Sequence, residues 1–399
     1  MHETRNGADP VVLPSRIGRI GVTRLALTDF RNYGAARIDL AAGPVVLTGP
    51  NGAGKTNLLE AVSMLSPGRG LRNARLGDLD RRSAGDGPEA AGWAVAATVE
   101  RGCGAVRIGT GRDPAGGERR MVRVDGETIR GQAALAAIVG VTWLTPQMDR
   151  LFVEGPSARR RFLDRLVLGL DPAHAPRVAS YEHAMRERSR LLRPTDQGGP
   201  PDPVWLDALE ETMAAQGVAV AAARRDAVER LDAACATAGG PFPRAHLGIV
   251  GAVEGWLDEL PALAAEERLK AALREGRAAD APAGGATVGP HRSDLAVTHA
   301  EKGIAAEGLS TGEQKALLIS IVLAHARLQR QTRGEPPLLL LDEVAAHLDA
   351  GRRDALFETL LGLESQVWLT GTETALFTPL RAAARFLSVS DGALSETTF

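Results

Sequence analysis

The chain has 399 residues and a formal net charge of −2, with 24% charged and 44% hydrophobic side chains. A domain commonly has about 100–200 residues, so we expect two lobes, each with a sizeable core. No stretch approaches the roughly 18 consecutive apolar residues that a membrane span needs. The near-neutral charge argues against general electrostatic coating of nucleic acid, although a local basic strip is compatible with it.

The first segment and the two cysteines bear on the compartment. Residues 1–18 mix charges, proline and glycine and lack the apolar core of a secretory signal, so we predict a disordered tail. Cys103 and Cys235 lie far apart in the sequence, and neither a disulfide framework nor a zinc site can be built from them. Both features favour the cytoplasm.

Alternation of apolar and polar residues follows the tail. This pattern predicts three strands between residues 20 and 48, a helix over 57–65, and further strands over 93–100, 105–109 and 121–124. We assign these segments to the N-terminal part of a nucleotide-binding lobe, residues 19–150.

The sequence pattern changes near residue 150. The runs 158–192 and 204–236 lack strand alternation and are rich in Ala, Arg, Glu and Leu, which predicts helices. In the second run, apolar residues fall mostly at three- and four-residue steps, as on one helix face. A third helical stretch covers 256–276. We therefore predict an inserted, mainly helical lobe over residues 151–280. Strands return at 295–299, 338–341 and 367–370, and they place the C-terminal part of the nucleotide-binding lobe at 281–399.

A glycine-rich loop between a strand and a helix carries the first chemical signal. The pattern of residues 49–56 is a P-loop, whose backbone amides and helix N-terminus bind phosphates. Lys55 would reach the β- and γ-phosphates and Thr56 would bind Mg²⁺. The predicted nucleotide-binding residues of this loop are Gly49, Pro50, Asn51, Gly52, Ala53, Gly54, Lys55 and Thr56.

A second signal follows the apolar run 338–341. Asp342, at the predicted strand end, would hold Mg²⁺, and Glu343 is the candidate general base for an attacking water. Asp349 belongs to the loop 346–349 downstream and is a further candidate for nucleotide contact. Alone this acidic pair is weak evidence, but a P-loop upstream strengthens it.

The third signal, residues 309–315, decides the class. Ser310 and Glu313 have capping-box spacing, so a helix begins here, and Gly312 leaves its amides approachable. Such a helix end is an anion site. In ATPases that resemble the ABC class, this signature reaches the γ-phosphate held by the other subunit. We therefore predict an α/β fold, an ABC-type P-loop ATPase lobe with a mixed sheet and flanking helices, into which a mainly helical second lobe is inserted.

Several blocks together resemble the RecF family, which is related to the ATPase heads of SMC proteins. The resemblance runs in order from about residue 20 to the end, through residues 30–33, the P-loop with Asn57, and residues 69–72, 160–164, 289–292 and 310–315. The Gly-Pro-His-Arg block at 289–292 and the signature are the most discriminating. The chain departs from the family at Ser293, where an acid is usual, and in its 18-residue N-terminal extension.

The resemblance implies further assignments. Gln147 would be the Q-loop residue that senses Mg²⁺ and the γ-phosphate, and Arg31 and Asn32 would contact nucleotide. Residues 370–372 lie where transporter ATPases carry a switch histidine, which is absent here as in the RecF family. The cofactors would be ATP and Mg²⁺. The protein would be a weak DNA-dependent ATPase and an ATP-dependent homodimer that acts with RecR and RecO to load the strand-exchange protein.

The DNA contacts are the least specific prediction. Arginine pairs well with phosphate, and clusters of arginine suggest Arg69, Arg72, Arg75 and Arg160 as contacts with duplex DNA and single-strand/double-strand junctions. Aromatic residues make up only 4% of the chain, which argues against base stacking on single strands. Two alternatives stay open at this point: an ABC transporter ATPase subunit, and a nucleotide-gated scaffold with negligible turnover.

Overall fold

A computed structural model describes residues 20–81, 92–112, 119–129, 131–193, 202–237 and 239–397. The predicted disordered tail, residues 1–18, lies outside the described residues. The strands are β1 (Gly21–Phe30), β2 (Tyr33–Asp39), β3 (Val45–Thr48), β4 (Ala94–Glu100), β5 (Val106–Arg112), β6 (Arg120–Val124), β7 (Glu127–Ile129), β8 (Val141–Leu144), β9 (Ala245–Val250), β10 (Asp294–His299), β11 (Ile304–Ala305), β12 (Leu338–Leu341), β13 (Val367–Gly371), β14 (Arg385–Ser390) and β15 (Ala393–Glu396). The helices are α1 (Lys55–Ser63), α2 (Ala133–Ile138), α3 (Pro156–Leu170), α4 (His174–Leu192), α5 (Pro203–Ala236), α6 (Ala252–Glu259), α7 (Ala262–Glu275), α8 (Arg277–Ala283), α9 (Thr311–Arg333) and α10 (Ala350–Gly362).

An antiparallel sheet forms the first layer, with strand order β2-β1-β4-β5-β6-β7. Its strands alternate buried and exposed residues, as in β4, where Val95, Ala97 and Val99 are buried. The buried face packs on α1 in a shared apolar cluster that includes Leu58 and Leu59. One-sided burial of this kind explains why the strands read as alternating sequences.

A second sheet, with order β15-β14-β3-β13-β12-β8, is parallel except for β15. Every residue of β3, β8, β12 and β13 is buried, which fits strands covered on both faces. Because β3, β12 and β13 run in parallel, their carboxyl ends meet at one edge of the sheet. The P-loop follows β3, the Asp342-Glu343 pair follows β12, and Thr370 is the penultimate residue of β13. Their meeting at one edge builds the site.

The segment between the two parts of the sheet is mainly helical, but it differs in detail from the prediction. The predicted run 158–192 is two helices, because α3 ends at Leu170 and α4 begins at His174 after Pro172. The stretch 256–276 is likewise divided at Pro261 between α6 and α7. Proline lacks an amide donor and interrupts a helix, which explains both breaks. The predicted lobe boundaries at 150 and 280 stay predictions.

Strand β9 was not anticipated within the predicted helical lobe. It pairs antiparallel with β10, and β10 with β11, to form a small three-stranded sheet. Helix α5 packs against β9, and both contribute to one apolar cluster with α9. The inserted helices are therefore joined to the C-terminal part of the chain by a sheet as well as by helix packing.

The helical segment also contains a buried ionic cluster. Arg188 of α4 is fully buried, donates to Glu210 Oε1 at 2.8 Å and lies 2.8 Å from Asp280 Oδ2. It also donates to the carbonyl of Leu273 at 2.6 Å. These contacts hold α4, α5, α7 and α8 together, because a buried guanidinium requires paired acceptors. Among the described residues, we find no helix with the length and apolarity to cross a membrane.

Candidate nucleotide site

The loop between β3 and α1 has the backbone geometry of a phosphate cradle. Gly49 and Gly54 have φ values of 147° and 118°, which favour glycine. A Cβ at Gly54 would lie 2.5 Å from Asn32 Nδ2, and one at Gly49 would lie 2.2 Å from the carbonyl oxygen of Val389. Only glycine fits at these two positions. The loop then leads directly into α1, whose first-turn amides are available to an anion.

Lys55 is buried at the start of α1 and its side chain folds over the loop. Its ammonium donates to the carbonyls of Gly49 at 2.7 Å and Pro50 at 2.9 Å. Burial lowers the pKa of Lys55, and the nearby carboxylates of Glu343 and Asp342 oppose that shift. A positive charge is therefore held beside the cradle by neutral carbonyls, which phosphate oxygens can replace.

The carboxylate of Asp342 meets two hydroxyl groups at the end of β12. Thr56 donates to its two oxygens, each at 3.0 Å, and Thr370 donates to Oδ1 at 2.8 Å. Burial raises the pKa of Asp342, although these hydrogen bonds oppose the increase. A hydroxyl and a carboxylate are the hard oxygen donors that Mg²⁺ takes beside phosphates, so the residues present fit that ion.

Glu343 follows in a left-handed backbone conformation with φ of 53°. Its amide donates to Thr370 Oγ1 at 2.9 Å, so a single hydroxyl contacts both Asp342 and Glu343. The sequence pattern did not predict this role of Thr370, which belongs to residues 370–372, where transporter ATPases carry a switch histidine. The sequence signal was a threonine at the end of a buried strand next to the P-loop strand.

Residues Asn32 and Tyr33, at the turn between β1 and β2, hydrogen-bond to the backbone of the P-loop. Asn32 donates to the carbonyl of Ala53 at 3.1 Å and accepts from Asn57 at 2.7 Å, while Tyr33 donates to the carbonyl of Gly54 at 3.0 Å. Burial raises the pKa of Tyr33. The described contacts of Asn32 are thus with the P-loop backbone and α1, and its contact with nucleotide stays a prediction.

Two arginines converge on Glu60, which is fully buried in α1. Arg31 binds both of its carboxylate oxygens at 2.9 Å, and Arg72 binds Oε2 at 3.0 Å. Arg72 also donates to Asn57 at 2.6 Å. This pairing joins residues 29 and 12 positions from Glu60, and no local pattern pointed to it. Arg31, predicted for nucleotide, and Arg72, predicted for DNA, therefore share one carboxylate beside the P-loop.

The signature residues lie at an open helix end. Ser310 caps α9, and Glu313 completes the capping box by accepting from the Ser310 amide at 3.0 Å. The ion pair with Lys302 and the hydrogen bond from Ser310 lower the pKa of Glu313 to about 2. Ser310, Thr311 and Gly312 are exposed. A Cβ at Gly312 would meet open space, so the amides of this turn are accessible from outside.

Gln147 and Asp349 complete the predicted nucleotide set. Gln147 is exposed in the turn Pro146–Arg150, which follows β8. The last residue of β8, Leu144, accepts a hydrogen bond from the Asp342 amide. Lys315 of α9 lies 3.3 Å from Asp149 and connects the signature helix to the same turn. Asp349 is exposed and caps α10 by accepting from the Arg352 amide at 2.9 Å. Gln147 and Asp349 are thus both exposed, and their contacts with nucleotide stay predictions.

The predicted DNA-contacting arginines have different environments. Arg69 and Arg75 are exposed, and within the described ranges no carboxylate lies at ion-pair distance from either. Arg160 is partly buried and donates to the carbonyl of Ser293 at 2.7 Å. Together with Arg72, which is engaged by Glu60, these residues do not form one continuous set of free cations.

Comparison with known proteins places these features in a family. The model described as RecF/RecN/SMC N terminal domain matches residues 21–393. The chain is 51% identical over 380 residues to the DNA replication and repair protein RecF of Mesorhizobium japonicum, covering 94% of this chain and 98% of the relative. It is 50% identical over 384 residues to the RecF of Rhizobium meliloti, covering 94% and 99%.

Solved structures show the same fold. The recombination mediator protein RecF with ATP, from the RecFOR pathway, superposes with a TM-score of 0.82 at 22% identity, covering 95% of this chain and 98% of that chain. An Smc head domain from Pyrococcus furiosus gives a TM-score of 0.53 at 16% identity, with coverage of 95% and 96%. The mixed α/β architecture with a P-loop lobe and inserted helices is thus the one predicted.

Proposed function

Since the chain belongs to the RecF family of DNA replication and repair proteins, we propose that it is an ATP-dependent clamp on duplex DNA. In this proposal it acts in the cytoplasm in recombinational repair and replication restart. It dimerises on ATP, binds duplex DNA near single-strand gaps, and works with RecR and RecO to help load the strand-exchange protein. The family match over residues 21–393 leaves no support for the transporter alternative.

The nucleotide edge supports binding of Mg-ATP by residues of this chain. Lys55 and the amides of residues 49–56 would bind the phosphates, while Thr56, Asp342 and Gln147 would hold Mg²⁺. The bound ion would neutralise phosphate charge and so assist attack by water. Arg31 and Asn32 stay candidates for further nucleotide contact through the turn that supports the loop.

Glu343 is the proposed general base. Its backbone is fixed by the Thr370 hydroxyl, which also positions the Asp342 carboxylate. A left-handed conformation at a residue other than glycine costs on the order of 1–3 kcal/mol and persists where the surroundings impose it. This placement supports hydrolysis over the nucleotide-gated scaffold, although turnover would be weak and stimulated by DNA.

Dimerisation is supported by the open signature turn. The described polar contacts of Ser310 are with Glu313 of its own turn, so its helix end is free to receive an anion from outside. We propose that Ser310 and Gly312 of one protomer contact the γ-phosphate bound in the partner's P-loop. Asp349, exposed at the start of α10, would contribute to the same interface. ATP would then join two protomers head to tail.

DNA binding is proposed for the arginines that keep free donors. Arg69 and Arg75 are exposed, and Arg160 uses one donor on a carbonyl, whereas Arg72 would have to share its charge with Glu60. Contacts of this type bind phosphates without reading sequence and weaken with salt.

The observation that carries the proposal is the contact of Thr56 with Asp342, across 286 residues, beside Glu343. The test measures ATPase rate and gel-filtration mass, with and without duplex DNA, and with ADP as the control nucleotide. We expect ATP, and not ADP, to double the mass, and duplex DNA to raise turnover. A protein that stays monomeric with ATP, and whose turnover ignores DNA, would refute the clamp.

A further inference from the structure

Residues 160–164 and 289–292, two sequence blocks that lie outside the nucleotide site, contact the same residues of the helical segment. Asp164, from the block 160–164 on α3, binds Arg224 of α5 with two hydrogen bonds of 2.8 and 2.9 Å. Arg224 also donates to the carbonyl of Pro290 at 2.6 Å, in the block 289–292. Tyr181 of α4 contacts His291 Nδ1 at 2.6 Å. Together these residues wall a cavity of about 190 Å³.

Positive charge in this cavity exceeds what its carboxylates neutralise. Arg159, which does not line the cavity, is matched by Asp294 in a fork of two 2.7 Å hydrogen bonds. Arg160, by contrast, donates to the carbonyl of Ser293 at 2.7 Å, and Arg161 to the Ser157 hydroxyl at 2.7 Å. For these two, the described residues supply no carboxylate at ion-pair distance.

The acids that line the cavity are Asp164 and Glu182. Both oxygens of Asp164 bind Arg224, and one also contacts His174 at 2.8 Å. Glu182 is about half exposed and lies 3.5 Å from Arg186 in a solvent-exposed pair. Burial lowers the pKa of Arg160 and the nearby Arg224 lowers it further, while Asp294 and Asp164 act in the opposite direction. Arg160 and Arg161 are thus the arginines of the cavity without an ion-pair partner among the described residues, and a bound anion would supply one.

We propose that this cavity, walled by Arg160, Arg161, Arg224, Tyr181 and His291, binds a phosphate group of the DNA backbone. The inference rests on the proposed function for the source of the phosphate. Guanidinium groups bind phosphate through paired N–H donors, and Arg160 is held in place by the Ser293 carbonyl. The volume is below the roughly 300–1,000 Å³ of pockets that enclose whole small molecules. A phosphate therefore fits better than a complete nucleotide.

The first experiment measures duplex DNA affinity of the full chain with Mg-ATP, between 50 and about 200 mM salt. It compares wild type with Arg160→Gln, Arg161→Gln and Arg123→Gln. Arg123 is an exposed arginine of β6, so Arg123→Gln removes the same charge at a site away from the cavity and serves as the control. We expect each cavity variant to weaken binding about tenfold and to reduce the salt slope by about 1, and the control to change affinity less than about twofold. Equal effects of all three variants would overturn the site.

The second experiment separates the site from the clamp. Inorganic phosphate is added with saturating Mg-ADP, which occupies the P-loop, and the thermal midpoint is recorded. We expect phosphate to raise the midpoint of wild type more than that of either cavity variant. If phosphate raises the midpoint of wild type in this way but wild type binds no DNA, the phosphate site is supported and the clamp is refuted. If phosphate shifts the midpoint of all proteins equally, the phosphate site is refuted. Arg161 is exposed, so its variant keeps the test valid even if Arg160→Gln does not fold.

Discussion

The carboxylates of Asp342, at the end of β12, and Asp164, in α3, have contrasting surroundings. Asp342 is 5% exposed and its described partners are the hydroxyls of Thr56 and Thr370. Asp164 receives two hydrogen bonds from the full charge of Arg224 and contacts His174. One carboxylate lacks a cation at ion-pair distance in the described structure, and the other is neutralised within the fold.

The two pKa shifts follow from this difference. Burial raises the pKa of Asp342, and its hydroxyl partners do not compensate. Burial also opposes ionisation of Asp164, but His174 and Arg224 outweigh it and the pKa of Asp164 is lowered. A carboxylate left short of positive charge is therefore suited to an external cation, whereas one whose charge is neutralised by arginine serves the structure. Four substitutions test this difference.

Glu343→Gln should have the largest effect, because it removes the proposed base beside Asp342 and keeps its size. We expect the ATPase rate to fall by about 10²–10⁴-fold, with ATP affinity retained and the dimer trapped. Steady-state turnover and gel filtration with ATP measure the two outcomes. Glu373→Gln, an exposed acid after β13, is the matched control. A variant that turns over normally or stays monomeric would remove Glu343 from the base role.

Arg224→Ala tests whether the pair of Arg224 with Asp164 stabilises the fold. It leaves Asp164 without its main partner, and breaking a buried pair costs about 3–5 kcal/mol, reduced here because Asp164 is partly exposed. Urea unfolding should report a lower free energy of unfolding, while ATP affinity stays unchanged. Arg225→Ala, at the next and more exposed position, should cost less than about 1 kcal/mol. Equal losses for the two variants would contradict the structural role.

Thr370→Val removes one hydroxyl and retains the branched shape. The hydrogen bonds to Asp342 and from the Glu343 amide are lost, each worth about 0.5–1.5 kcal/mol. We expect turnover to fall about tenfold and nucleotide affinity to change less than about twofold, and Thr370→Ser should restore the rate. If affinity falls as much as turnover, or serine fails to rescue, Thr370 only supports the strand.

Asp342→Asn should give the smallest change in the free energy of unfolding of the nucleotide-free protein, and the sign of this change is informative. The folded pKa of Asp342 is raised, so its contribution to stability is full below the unfolded pKa and is lost as pH rises through the folded pKa. At neutral pH the amide should therefore stabilise the nucleotide-free protein. Unfolding at pH 7 and at pH 4 tests this, since the gain should shrink at pH 4. A destabilised variant at pH 7 would contradict the proposed lack of a cation.

Features that depend on contiguous residues were predictable from the sequence, whereas charge pairs between distant residues were not. The P-loop, Asp342 and the capped signature helix are contiguous patterns, and β12 begins and ends at Leu338 and Leu341 as expected. The pairing of Arg31 and Arg72 on Glu60, and of Asp164 with Arg224, joins residues 12 to 60 positions apart. Charges at such separations give no local signal, because only the packed fold decides which carboxylate each arginine meets.

The missed elements have local causes. Strand β9 has only six residues, and its alternation of Ala245 and Leu247 with exposed neighbours is too short to stand out between two helical runs. The role of Thr370 was hidden because its hydroxyl acts on residues 27 and 28 positions away. Sequence patterns thus predicted the edge where the site lies, and the structure added the residues that position it.

The central proposal is a nucleotide site shared by two protomers, and mixing two inactive variants tests it most directly. Lys55→Ala disables the P-loop, and Ser310→Arg blocks the signature turn, so each protein alone should lack ATP turnover. In a head-to-tail heterodimer, one site combines an intact P-loop with an intact signature. The account predicts that ATPase activity appears on mixing. A mixture no more active than its separate components, or full activity of Ser310→Arg alone, would contradict it.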